Sequence, residues 1–183
     1  INSAIENYVI TALQIGELNS SATKSIEESI ETFNAEYTNF INDFPESKQK
    51  WEAQIDGEVM FKSQELISVA ITSYTDTGAA HGVLNISFLN FETKTGKIIS
   101  SSKLVKNVDA FKKIAKPYFD EALAEKDISF DTKAFELPPN IAYTEEGVVL
   151  LFNVFQIAPY STEIIEFTIP FEEAKPYLVF NSF

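Results

Sequence analysis

The stretch Ser73–Ser100, SYTDTGAAHGVLNISFLNFETKTGKIIS, sets a turn of small residues, carrying the chain's one histidine, between two strand-like runs. Ahead of the turn Ile67, Val69 and Ile71 alternate with Ser68, Ala70 and Thr72; behind it Leu84, Ile86 and Phe88 alternate with Asn85 and Ser87. An apolar residue at every second position marks a half-buried strand. Gly78 and Gly82 bracket Ala79, Ala80 and His81, so the backbone there can take positive φ or approach another segment without a Cβ in the way. The reading is one long hairpin, followed at Thr95-Gly96 by a second turn into the pair Ile98-Ile99.

Upstream of the hairpin, Trp51, Ala53, Ile55, Val59 and Phe61 alternate with Glu52, Gln54, Asp56 and Glu58, which predicts a strand with Gly57 as the place for a break. Asp56 and Glu58 share one side of it, the kind of carboxylate pair used in glycoside chemistry. Acids opposite an apolar face are also what a solvated sheet surface presents, and these two receive no catalytic role. Further upstream, Ile26, Ile30, Phe33, Tyr37, Phe40, Ile41 and Phe44 step by three and four, predicting an amphipathic helix that lies on the sheet. Ser25 with Glu28 has capping-box spacing, Ser20, Ser21 and Thr23 being alternative caps, and Pro45 ends the pattern. Ile1, Ile5, Tyr8, Val9, Ala12 and Leu13 predict a shorter helix, with Gly16 as its stop.

Downstream, Phe111, Ile114, Ala115, Tyr118, Phe119, Ala122 and Leu123 predict a second long helix over 108–125. Pro117 inside it predicts a kink or a division into two shorter helices, because proline lacks the N–H and crowds the preceding turn. The cluster Lys112, Lys113 and Lys116 reads as a solvated face or as an attraction for an anionic wall polymer. After a polar segment ending at Pro138-Pro139, Val148 to Phe155 is apolar on both parities, as a central strand would be. A strand over 164–169 and a short closing helix over 171–178 complete the chain. This order predicts an α+β fold: a largely antiparallel sheet with two long helices packed on one face. The expected division is 1–63, a helical companion segment with the first strand, and 64–183, an α+β domain holding the Gly-Ala-Ala-His-Gly turn.

With 183 residues, 45% of them hydrophobic and 16 of them Phe, the chain can fill a sizeable core. Its net charge is −13, and all 14 basic residues are lysine. Without arginine it lacks the preferred fork for phosphates and bases, so no nucleic-acid partner is expected. An acidic surface suits solubility or a cationic partner. No run approaches the ~20 apolar residues of a membrane helix. The chain begins at Ile1 with no signal-peptide pattern, so an upstream piece is expected, with any membrane anchor in it.

Tyr74, Gly78-Ala79-Ala80-His81-Gly82, Asn90-Phe91-Glu92 and Thr95-Gly96-Lys97 form one motif, and Phe155 to Tyr160 followed by the strand 164–169 and Pro170-Phe171 forms a second. Together they resemble the extracytoplasmic domain of unknown function shared by lysozyme-sensing anti-sigma factors, some peptidoglycan deacetylases and many bacterial lipoproteins. The resemblance covers the C-terminal two thirds. Gly78-Ala79 stands where relatives often carry Gly-Gly. It implies an exported, lipid-anchored bacterial protein whose ligand is lysozyme or peptidoglycan, and a separate domain as the catalytic part of the deacetylases.

One histidine and no cysteine preclude a structural or multi-histidine zinc site built from this chain, so no metal or cofactor is expected. A serine triad would need His81, an acid such as Asp76 and a nucleophile for which there is no Gly-x-Ser-x-Gly elbow. Thr95-Gly96-Lys97-Ile98 lacks the rest of a phosphate loop. Two readings stand. One is a non-catalytic binding or sensing module with His81, Tyr74, Gly82 and Tyr160 at its recognition surface; in the other, a cell-envelope polymer hydrolase uses His81 and nearby carboxylates. His81 could also simply lock the turn through a hydrogen bond.

Overall fold

The computed structural model describes residues 1–15, 25–79, 81–128, 135–154, 156–157 and 163–182. Helices α1 (Asn2–Ala12) and α2 (Ile26–Asp43) precede strands β1 (Glu52–Lys62), β2 (Leu66–Asp76), β3 (Val83–Glu92) and β4 (Ile98–Ile99). Helix α3 (Val108–Glu125), strands β5 (Asn140–Tyr143), β6 (Gly147–Phe152) and β7 (Ile165–Pro170), and helix α4 (Phe171–Ala174) follow. The fold is α+β, as expected. Its strands form two antiparallel sheets, β1-β2-β3-β4 and β5-β6-β7.

By internal contacts the chain divides into two compact units, 1–56 with 72–85 and 57–71 with 86–183. The sequence reading divides it at 63/64; β1, β2 and β3 pass through both units, and the turn between β2 and β3 groups with the N-terminal helices.

In the first unit the Ser25 hydroxyl accepts from the Glu28 N–H at 3.1 Å and caps α2, settling the cap that the sequence left open. The stripe of α2 closes around Trp51, whose ring centroid lies 5.8 Å from Phe33, 5.7 Å from Tyr37 and 5.5 Å from Phe40. Phe33 is buried, whereas Ile30 and, at the end of the stripe, Phe44 are exposed. Helix α1 is tied to the hairpin by Tyr8, whose hydroxyl accepts from Asn85 Nδ2 at 2.9 Å and lies 3.4 Å from Ser73 Oγ.

In the second unit α3 is one helix of 18 residues through Pro117, not two shorter ones. It packs on β7, placing Phe111, Ala115, Phe119, Ala122 and Leu123 in a core with Tyr143, Val148, Leu150, Ile165 and Ile169. Strand β6 is buried along its whole length, as its unbroken apolar run predicts. Strand β1 runs through Gly57 without a break, and beyond it Phe61 enters this core while Met60 packs against a second cluster of Ala70, Phe88, Ala142, Val149 and Leu151. Val59, read as inward-facing, is 62% exposed.

The alternation in β2 also misleads, because Ser68 and Ala70 are buried along with Val69 and Ile71. Ser68 Oγ donates to Asn90 Oδ1 at 2.7 Å and accepts from the Tyr143 N–H at 3.2 Å, while Asn90 Nδ2 donates to the Ile141 carbonyl at 2.8 Å. Further along β3 asparagines stand in for a neighbouring strand. Asn140 accepts from the Phe88 N–H at 3.0 Å and donates to the Ile86 carbonyl at 3.1 Å. Asn153 accepts from the Ile86 N–H and donates to the Ile86 carbonyl, both at 2.8 Å. Strand β4 pairs only with Asn90 and Phe91, so these side chains satisfy backbone groups that it does not reach.

Candidate functional site

The hairpin turn between β2 and β3 is held from several sides. Asp76 Oδ1 accepts from the Gly78 N–H at 2.9 Å, the local bond by which an aspartate mimics a backbone turn. Gly78 takes φ +82°, a conformation that calls for glycine, and a Cβ there would displace the Gln49 amide, 2.5 Å away at Oε1. Gln49 Nε2 donates to the Gly78 carbonyl at 2.6 Å, and the Gln49 carbonyl accepts from the Tyr37 hydroxyl at 3.3 Å. The turn is thereby linked through one glutamine to the ring cluster around Trp51.

At the far side of the turn the half-buried Tyr74 ring lies against the backbone of Gly82, where any Cβ would overlap Tyr74 Oη, Cζ and Cε2. Gly82 is thus a contact of Tyr74, whatever else it does. His81 is exposed, and its Nδ1 lies 3.2 Å from the Gly82 carbonyl oxygen. No hydrogen bond joins it to a carboxylate among the described residues, and those residues contain no group of three or more His, Asp and Glu placed to hold a metal ion. Of the four residues read as a recognition surface, Tyr74, His81 and Gly82 come together; Tyr160 lies outside the described residues, as does Ala80.

Much of the remaining motif is structural. Asn90 and Phe91 are buried. The Thr95 hydroxyl donates to the Glu92 carboxylate, the Glu92 carbonyl accepts from the Gly96 N–H at 2.7 Å, and Gly96 takes φ +67°. These residues shape the β3–β4 turn. Lys112 pairs with Glu136 and Lys116 with Asp120 at 2.5 Å, so two of the three clustered lysines are engaged. Sequence reasoning missed Tyr37 and Gln49, which hold the turn from far along the chain; their side chains carry no local signal of it.

Residues 94–172 match a family model described as a protein of unknown function (DUF3298). Over that segment the chain is similar to the DUF3298 family. Residues 1–84, which include Tyr74, His81 and Gly82, match a second model, described as deacetylase PdaC. Two crystal structures of DUF3298-family proteins share the fold. One, from Pseudomonas aeruginosa, is 21% identical with a TM-score of 0.68, over 98% of this chain and 79% of that one. The other, from Bacteroides fragilis, is 18% identical with a TM-score of 0.64, over 96% and 77%. No curated protein matches significantly. The DUF3298 match begins beyond the β2–β3 turn, so the exposed histidine lies in the segment matched by the other model.

Proposed function

We propose that the chain is a non-catalytic, exported binding or sensing module of the bacterial cell envelope, whose ligand is cell-wall material or a cationic lysozyme-type protein. The observation that carries the reading is the built turn. Asp76, Gln49, Tyr37 and the Tyr74–Gly82 contact hold it, while the exposed His81 bonds only to its neighbour's carbonyl among the described residues. A catalytic histidine needs a group that orients its ring and a nucleophile or water to serve. A recognition residue needs a stiff platform, since pre-organisation lowers the ordering cost of binding. The charge of −13 without arginine supports a cationic partner by complementarity and steering. The motif resemblance supports export and a cell-envelope setting. The deacetylase name attached to the match over 1–84 is not carried over as an activity.

His81→Ala and Tyr74→Ala test the reading. Both residues lie outside the buried core, so each variant should fold, which circular dichroism checks. Each should weaken binding of a c-type lysozyme or of a soluble wall fragment about tenfold or more. Folded variants that both keep wild-type affinity for a ligand the parent binds would remove the turn from the binding surface.

A further inference from the structure

The second unit has a cleft of its own, about 480 Å³, between α3 and α4, lined by Lys113, Ile114, Pro117, Tyr118, Glu121 and Glu173. That volume is in the range of small-molecule sites, roughly 300–1,000 Å³. Its chemistry is lopsided. The Tyr118 hydroxyl donates to Glu173 Oε1 at 2.8 Å, and this bond, ahead of partial burial and the nearby negative charges of Glu173 and Glu121, raises the tyrosine's pKa and keeps it protonated. Its proton is committed, so the hydroxyl faces a ligand chiefly as an acceptor. Pro117 has no N–H to give the Lys113 carbonyl, which leaves a second acceptor without its usual helical donor. The carboxylates of Glu121 and Glu173 add further acceptors, and among the described residues neither is in a salt bridge. Against these stands one donor group, the Lys113 ammonium. Ile114, Pro117 and the Tyr118 ring add apolar surface, and Ile114 and Tyr118 are anchored against the main core.

We propose that this cleft binds an amino sugar, a pyranose ring carrying a free ammonium group. The excess of acceptors over donors calls for a donor-rich ligand, and two carboxylates against one lysine call for a positive one. A bare cation would leave the apolar surface uncovered, whereas the C–H face of a pyranose can lie on proline, isoleucine and a tyrosine ring while its ammonium and hydroxyls reach the rim. None of these residues belongs to the β2–β3 turn, and the cleft does not rest on the function proposed for that turn.

The test is calorimetric titration with a fully deacetylated glucosamine tetramer at physiological salt, beside its N-acetylated counterpart and spermine. The deacetylated tetramer should bind at least tenfold more tightly than either control. Glu121→Gln and Glu173→Gln should each weaken it about tenfold, and Tyr118→Ala should do the same through the lost ring face. Equal binding of the two sugars, spermine binding as tightly, or wild-type affinity in a Glu121→Gln, Glu173→Gln double variant would overturn the assignment. So would the absence of binding at millimolar sugar.

Discussion

Replacing Asn140 with alanine removes both bonds by which this side chain completes the edge of β3. The Phe88 N–H, 3.0 Å from Asn140 Oδ1 in a buried setting, loses its acceptor; an orphaned buried donor costs about 1–3 kcal/mol. The Ile86 carbonyl loses one of two donors but keeps Asn153 Nδ2 at 2.8 Å, which adds about 0.5–1.5 kcal/mol. The single variant should therefore be destabilised by about 1.5–4.5 kcal/mol. Asn153→Ala should cost a similar amount, because it orphans the Ile86 N–H. The double variant should exceed the sum of the two by about 1 kcal/mol, since only then does the Ile86 carbonyl lose every side-chain donor. Urea unfolding of the four proteins measures these terms, and hydrogen exchange at the Phe88 amide reports the edge itself. Destabilisation of Asn140→Ala below about 0.5 kcal/mol, unchanged protection at Phe88, or strict additivity would refute the reasoning.

Phe119 is 1% exposed and meets Phe135, Phe152 and Phe167 at 4.7, 5.4 and 6.0 Å between ring centroids; Phe119→Ala should cost about 3–5 kcal/mol in the same unfolding assay. Ser25→Ala should lower the stability of α2 by about 1 kcal/mol through loss of its cap, read by exchange of amides in its first turns. Burial raises the Tyr143 pKa well above its ordinary value, with Glu65 adding to the effect. The fold thus favours the neutral phenol: that stability is intact below pH about 10 and falls as pH rises further and the unfolded chain ionises. Tyr143→Phe should flatten the loss of stability above pH about 10; an unchanged alkaline profile would contradict this.

What was legible in the sequence was local. The stripe of α2, its cap and its proline stop, the hairpin around Gly78 and Gly82, and the doubly apolar β6 all follow from spacing within one element. The passage of α3 through Pro117 as one helix did not, because its packing on β7 outweighs a missing hydrogen bond that propensity alone would count against it. Ser68 reads as the polar side of its strand, and nothing nearby in sequence shows that β5 supplies partners for it and for Asn90 from residues 143 and 141. The division of the strands into two sheets was not legible either, because no local pattern says which strands share a sheet. At the site, the small-residue turn and its histidine were visible, whereas the groups that hold them, Gln49 and Tyr37, act from 29 and 41 residues before Gly78.

The most direct test of the binding-module account is calorimetric titration of the protein with a c-type lysozyme at low and at physiological salt, beside a second cationic protein of similar size. Contacts made at a built surface survive a Debye length of about 8 Å, whereas attraction to diffuse charge does not. The account predicts binding that persists at physiological salt and is absent from the control. Binding that disappears with salt, or that the control reproduces, would reduce the lysozyme reading to the charge of −13 and contradict it.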